Sequence, residues 1–131
     1  MKENPVKDKS FAFALRVVKL AKYLESEKKE FVLSRQVLRS GTAIGALVRE
    51  AEHAESGADF VHKMNIALKE ANETLYWLDL LHQGGYIDRR SYDSIASAGE
   101  ELIKLLIAIV KTSKATSAPN NSPFSIFHYP L

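Results

Sequence analysis

The chain has 131 residues, no cysteine, 46% apolar residues and a formal net charge of +2 from 18 Lys/Arg against 16 Asp/Glu, the profile of one soluble domain with a single core. The absence of cysteine excludes a disulfide framework and a thiolate metal site, and it fits a reducing cytoplasm. No secretion signal opens the sequence, and the longest apolar run, 102–110, is interrupted by Lys104 and falls short of the roughly 18 residues a membrane span needs, so a cytoplasmic protein with no membrane partner is expected.

The prolines stand at positions 5, 119, 123 and 130, so positions 6–118 are free of them. Proline breaks a helix interior at a cost of about 3 kcal/mol or more, and its absence over such a length predicts helices. Residues 1–9 read as an N-terminal arm. The first helix starts at Asp8 or Ser10 and runs to Ser26, ended by the charged connector Glu27-Lys28-Lys29-Glu30. A second runs from Phe31 or Val32 to Glu55, before Ser56-Gly57. The third spans Ala58 to His82 and stops at Gly84-Gly85, two residues suited to left-handed closing conformations. Ser91 is positioned to cap the fourth, which continues to Lys114. Short connections between four such helices predict an all-α, antiparallel up-down-up-down four-helix bundle over residues 10–114. Residues 115–131 form a tail that is polar at first and ends in Phe124, Phe127 and Tyr129, side chains suited to docking in a groove or on a partner.

Leu33, Val37, Gly41, Ile44, Val48 and Ala51 recur three or four apart as the stripe of the second helix. Phe60, Met64, Ala67, Ala71, Leu75, Leu78 and Leu81 do the same in the third. The first helix carries two apolar faces, Phe11-Ala14-Leu15-Val18 and Phe13-Val17-Leu20-Leu24, at roughly 100° per residue. The fourth is apolar nearly all round between Leu102 and Val110. A helix greasy on more than one side is buried on more than one side, so the extra faces are expected to meet a second copy of the chain. Interface candidates are Phe13, Val17 and Leu20 on the first helix and Ile103 and Ile107 on the fourth. On the third helix Glu70, Glu73 and Trp77 share a face away from its core stripe, with tryptophan a frequent anchor of interfaces.

Catalytic signatures are missing: there is no cysteine nucleophile, no Gly-x-Ser-x-Gly elbow, no phosphate-cradling loop and no dinucleotide fingerprint. Glu50-x-x-His53 has the spacing used by carboxylate-rich di-iron bundles, but such sites need a second motif and further inward glutamates, and Glu70-x-x-Glu73 lacks the histidine. No enzyme activity, metal or cofactor is expected. Gly41 and Gly45 sit inside a helix at about 1 kcal/mol each relative to alanine, a cost that points to close helix packing within the bundle or oligomer, with local flexibility or a ligand contact as the alternative.

Positive charge is uneven. Residues 1–30 hold eight Lys/Arg against five acids, among them Lys19, Lys22, Lys28 and Lys29. Arg35, Arg39 and Arg49 lie on the non-core side of the second helix. These residues are candidate contacts to the phosphates of RNA or DNA. The alternative is that Arg35 and Arg39 pair with carboxylates such as Glu50 or Glu73 at a subunit contact, in a protein-interaction scaffold with no nucleic-acid role.

The strings Arg35-Gln36, Arg39-Ser40-Gly41-Thr42, Ile44-Gly45-Ala46, Arg49-Glu50-Ala51 and Lys69-Glu70-Ala71-Asn72-Glu73-Thr74 with Trp77-Leu78 match, in order and spacing, the bacterial four-helix-bundle proteins encoded within intervening sequences of 23S ribosomal RNA genes. The chain resembles that ribosomal-protein-like family over residues 10–114, and departs from it at Leu47-Val48, where the family commonly has asparagine before the aliphatic residue. The resemblance implies a homopentamer around a cyclic axis, with Arg35, Arg39, Glu50, Glu70, Glu73 and Trp77 at matched positions. It implies no established enzymatic activity. By analogy with a similar bundle that accompanies diversity-generating retroelements, it also implies a nucleic-acid partner.

Overall fold

A computed structural model describes residues 3–116, which form α1 (Pro5–Glu27), α2 (Leu33–Ala51), α3 (Gly57–Gln83) and α4 (Arg89–Thr116). The aromatic end of the tail lies outside the described residues. Consecutive helices run antiparallel, as their cross-contacts show. Ser10 approaches Gly45 while Val17 approaches Gly41 on the α1–α2 seam. Lys63 pairs with Glu50 while Thr74 meets Ser40 on the α2–α3 seam, and Gly99 of α4 faces Leu75 of α3. The bundle closes where α4 returns to α1, the least extensive of its seams.

The helix ends differ from the sequence expectation for local reasons. α1 begins at Pro5, earlier than Asp8 or Ser10, because Asn4 caps it through a hydrogen bond from Lys7 N to Oδ1 (3.2 Å) and proline suits a first turn. Most of the expected arm is therefore helix. α1 ends when Lys29 adopts a positive φ of 52°, letting Glu30 N reach back to Leu24 O at 3.0 Å. α2 stops at Ala51, short of Glu55, in tight turns that join His53 N to Glu50 O and Ala54 N to Ala51 O. Ser56 caps α3 by accepting from Asp59 N at 3.0 Å. Past α3 only Gly85 is left-handed, at φ +84°, while Gly84 stays near the helical region. Asp88, not Ser91, caps α4: its Oδ1 accepts from Ser91 N at 2.8 Å.

The core holds Val37, Ile44 and Val48 of α2, Met64, Ala67, Leu78 and Leu81 of α3, and Leu102, Leu106 and Val110 of α4. Each fully buried Val, Leu, Ile or Met side chain among these contributes about 1.5–3 kcal/mol. The choice between the two faces of α1 goes against the sequence expectation. Phe13 and Val17 are 3% and 0% exposed, in the core of their own bundle, and so are not free to meet a second copy. Phe11 and Leu15 are instead 51% and 49% exposed. The cause is shape: Val17 packs on the bare backbone of Gly41, and Phe13 lies against Gly99. Ile103 is half-buried against the core and Ile107 is exposed.

Candidate functional site

Arg39 stands on the outer side of α2, facing two carboxylates one turn apart on α3. Its guanidinium pairs with Glu70 at 3.3 Å and with Glu73 through the other terminal nitrogen. Trp77, one turn further along α3, donates Nε1–H to the same Glu73 oxygen at 2.9 Å. The Trp77 N–H and the Arg39 guanidinium hold the Glu73 carboxyl below its usual value. The bond to Glu73 raises the Arg39 pKa in turn, against the opposing effect of burial. Tyr76 packs edge-on against Trp77, with ring centres 5.0 Å apart. Arg39 and these carboxylates thus pair within one chain, so their pairing needs no second subunit. Together with exposed Tyr76 and Leu80 they form a patch of mixed charge and aromatic surface beside α2.

The remaining predicted cations are spread out. Arg49 lies 5.3 Å above the Phe11 ring, joining the outer side of α2 to the exposed stripe of α1. Arg35 and Lys22 are exposed on α2 and α1 and form no ion pair among the described residues. Lys28 and Lys29 occupy the turn after α1, where Lys29 also serves as the left-handed closing residue. Lys19 lies elsewhere, on the α4 side of α1. There it lines a cleft of about 640 Å³ with half-buried Leu20, which was expected at a subunit contact.

Glu50 and His53 do not share a helix, because α2 ends between them, and Glu50 pairs with Lys63 at 3.4 Å. Among the described residues no three His, Asp or Glu side chains are grouped to hold a metal ion, and no helix is long and apolar enough to cross a membrane.

Sequence reasoning missed Glu30, which closes the amino end of α2 by accepting from Val32, Leu33 and Ser34 N–H groups at 3.2, 3.0 and 2.8 Å. The signal is an acid three residues before the helix, set within the charged connector. It also missed Arg16, Tyr23 and Arg90, which join Lys19 around the cleft. Arg16, Lys19 and Tyr23 have one-face spacing on α1, but nothing local ties them to a residue some seventy positions away on α4.

A family model described as 23S rRNA-intervening sequence protein matches residues 2–108. A solved structure of a protein with unknown function from the S23 ribosomal protein family of Bacteroides thetaiotaomicron is 61% identical. The match covers 81% of this chain and 98% of that one, with a TM-score of 0.80. No curated protein matches this chain. With the family model covering all four helices but the end of the last, the chain belongs to the 23S rRNA-intervening sequence protein family.

Proposed function

We propose that this protein is a non-enzymatic, cytoplasmic bundle that self-associates, as a homopentamer by the family resemblance, and presents repeated basic surface to RNA or DNA. The observation that carries self-association is the apolar stripe of Phe11 and Leu15, half exposed on a bundle whose core is already filled by Phe13 and Val17. Together with Tyr76 and Leu80 on α3, it places two greasy strips on either side of α2, the arrangement a head-to-tail ring uses when one strip meets the other on the next copy. Arg35 and Arg49, exposed and without carboxylate partners among the described residues, and Lys19, Lys22, Lys28 and Lys29 supply the phosphate contacts. Repetition around a ring multiplies a weak patch through effective concentration.

The test is the mass of the full chain in solution with and without single-stranded and duplex RNA, followed by retardation at rising salt. An oligomer whose RNA affinity falls steeply with salt is expected. A monomer at tens of micromolar sinks the first half of the proposal, and no retardation of a folded oligomer at low salt sinks the second. The pairing of Arg39 with Glu70 and Glu73 favours a second reading, a scaffold without nucleic acid, because that arginine's charge is already compensated. Loss of a protein partner, with RNA binding absent throughout, is the result that would select it.

A further inference from the structure

Where α1 ends and α4 begins, the thin α1–α4 seam opens into the 640 Å³ cleft. Its floor is apolar: Ile87 and Ile95 are nearly buried and Leu20 half-buried. Its rim is cationic, with Arg16, Lys19 and Arg90 against the single carboxylate of Asp88. Arg16 is held in place by Ser94, its Nη2 donating to Oγ at 2.8 Å and its Nη1 to the backbone oxygen at 3.3 Å. Both partners are neutral, so the guanidinium charge is uncompensated and part of its donor fork is unused. Asp88 is occupied as the α4 cap. Tyr23 stands at the edge, 41% exposed, and its ring makes no aromatic contact among the described residues.

We propose that this cleft seats one phosphorylated nucleotide unit, with the phosphate on Arg16, Lys19 and Arg90 and the base between the Tyr23 ring and the apolar floor. Charge complementarity selects an anion, and forked donors beside a lysine suit phosphate. The floor and the open ring select a flat, weakly polar group on the same ligand, since a base stacks on an aromatic side chain whatever its sequence. The volume lies within the range of sites for small ligands, about 300–1,000 Å³. The inference deepens the nucleic-acid reading and rests on it where the unit belongs to a strand; a free nucleotide presents the same chemistry.

Methyl NMR of the full-length protein, labelled at isoleucine, separates these cases when titrated at low salt with AMP, single-stranded octa-adenylate and inorganic phosphate. AMP and the oligonucleotide should shift Ile87 and Ile95 and leave the core methyl of Ile44 still. Tyr23→Ala should weaken AMP about tenfold and leave phosphate unchanged, and Lys19→Ala should weaken both. AMP in the cleft without oligonucleotide binding supports the cleft as a seat for free nucleotide and overturns the RNA reading. Oligonucleotide retardation abolished by Arg35→Ala with Arg49→Ala, while Ile87 and Ile95 stay silent, overturns the cleft and leaves the RNA reading standing. Phosphate binding as tightly as AMP, or both variants behaving like the parent, overturns the proposal.

Discussion

A Cβ placed on Gly41 would lie 2.8 Å from both Cγ atoms of Val17, so these two residues set how closely α1 approaches α2. Val17 is fully buried and β-branched, with little freedom to move aside. Gly41→Ala therefore costs about 1–3 kcal/mol of overpacking, more than the roughly 1 kcal/mol that alanine returns as a better helix former. At Gly45 the same Cβ meets Ser10 at an ordinary 3.5 Å. Gly45→Ala should be neutral or stabilising by up to about 1 kcal/mol. Urea unfolding of both variants at one protein concentration checks the opposite signs, and equal shifts would contradict the packing account.

The turn between α1 and α2 makes a second pair of opposite predictions. Glu30→Ala removes the acceptor of three N–H groups that Val32, in the cap position, cannot replace. It should cost about 0.5–2 kcal/mol. Lys29→Gly relieves a left-handed conformation that is unfavourable by about 1 kcal/mol for a residue with a Cβ. The thermal midpoint should fall for the first and rise for the second.

Glu73 predicts a pH dependence. Its folded pKa lies below its unfolded value because Trp77 and Arg39 stabilise the carboxylate, so the folded state binds fewer protons. Its contribution is complete above about pH 4.3, the usual glutamate value, and disappears as pH falls through the lower folded value. The side chain is 36% exposed, so solvent screening keeps the effect under about 1 kcal/mol. Glu73→Gln should be slightly less stable than the parent at pH 7 in chemical denaturation, and the difference should shrink as pH falls below about 4.3. A difference that does not change with pH would contradict it.

The two faces of α1 predict different outcomes for folding and for the proposed self-association. Phe13→Ala, in the core, should cost about 3–5 kcal/mol. Leu15→Glu, on the half-exposed stripe, should leave monomer stability within about 0.5 kcal/mol, as for other surface changes, and dissociate the proposed oligomer. Light scattering together with circular dichroism distinguishes the outcomes: an undiminished assembly in Leu15→Glu would move the contact elsewhere.

Much of the candidate site was legible as faces and little of it as partners. Helical spacing put Arg39 outside the α2 core, and Glu70, Glu73 and Trp77 together on α3. That Arg39 spans to those carboxylates follows from the rotation and axial offset of α2 against α3, fixed where Thr74 donates to Ser40 at 2.9 Å inside the seam. The cleft was hidden for the same reason, since Arg16 and Ser94 become neighbours only when α4 closes the bundle.

The long stretch without proline, the short polar connections and the apolar repeat at helical spacing were enough to predict four antiparallel helices, because those properties act within a few residues along the chain. Which face of α1 turns inward was not predictable in that way. Both faces are apolar, and the hydrophobic effect rewards area without regard to direction. Close packing settled it: Val17 fits the hollow at Gly41 and Phe13 the hollow at Gly99, two positions that face α1 only in the assembled bundle.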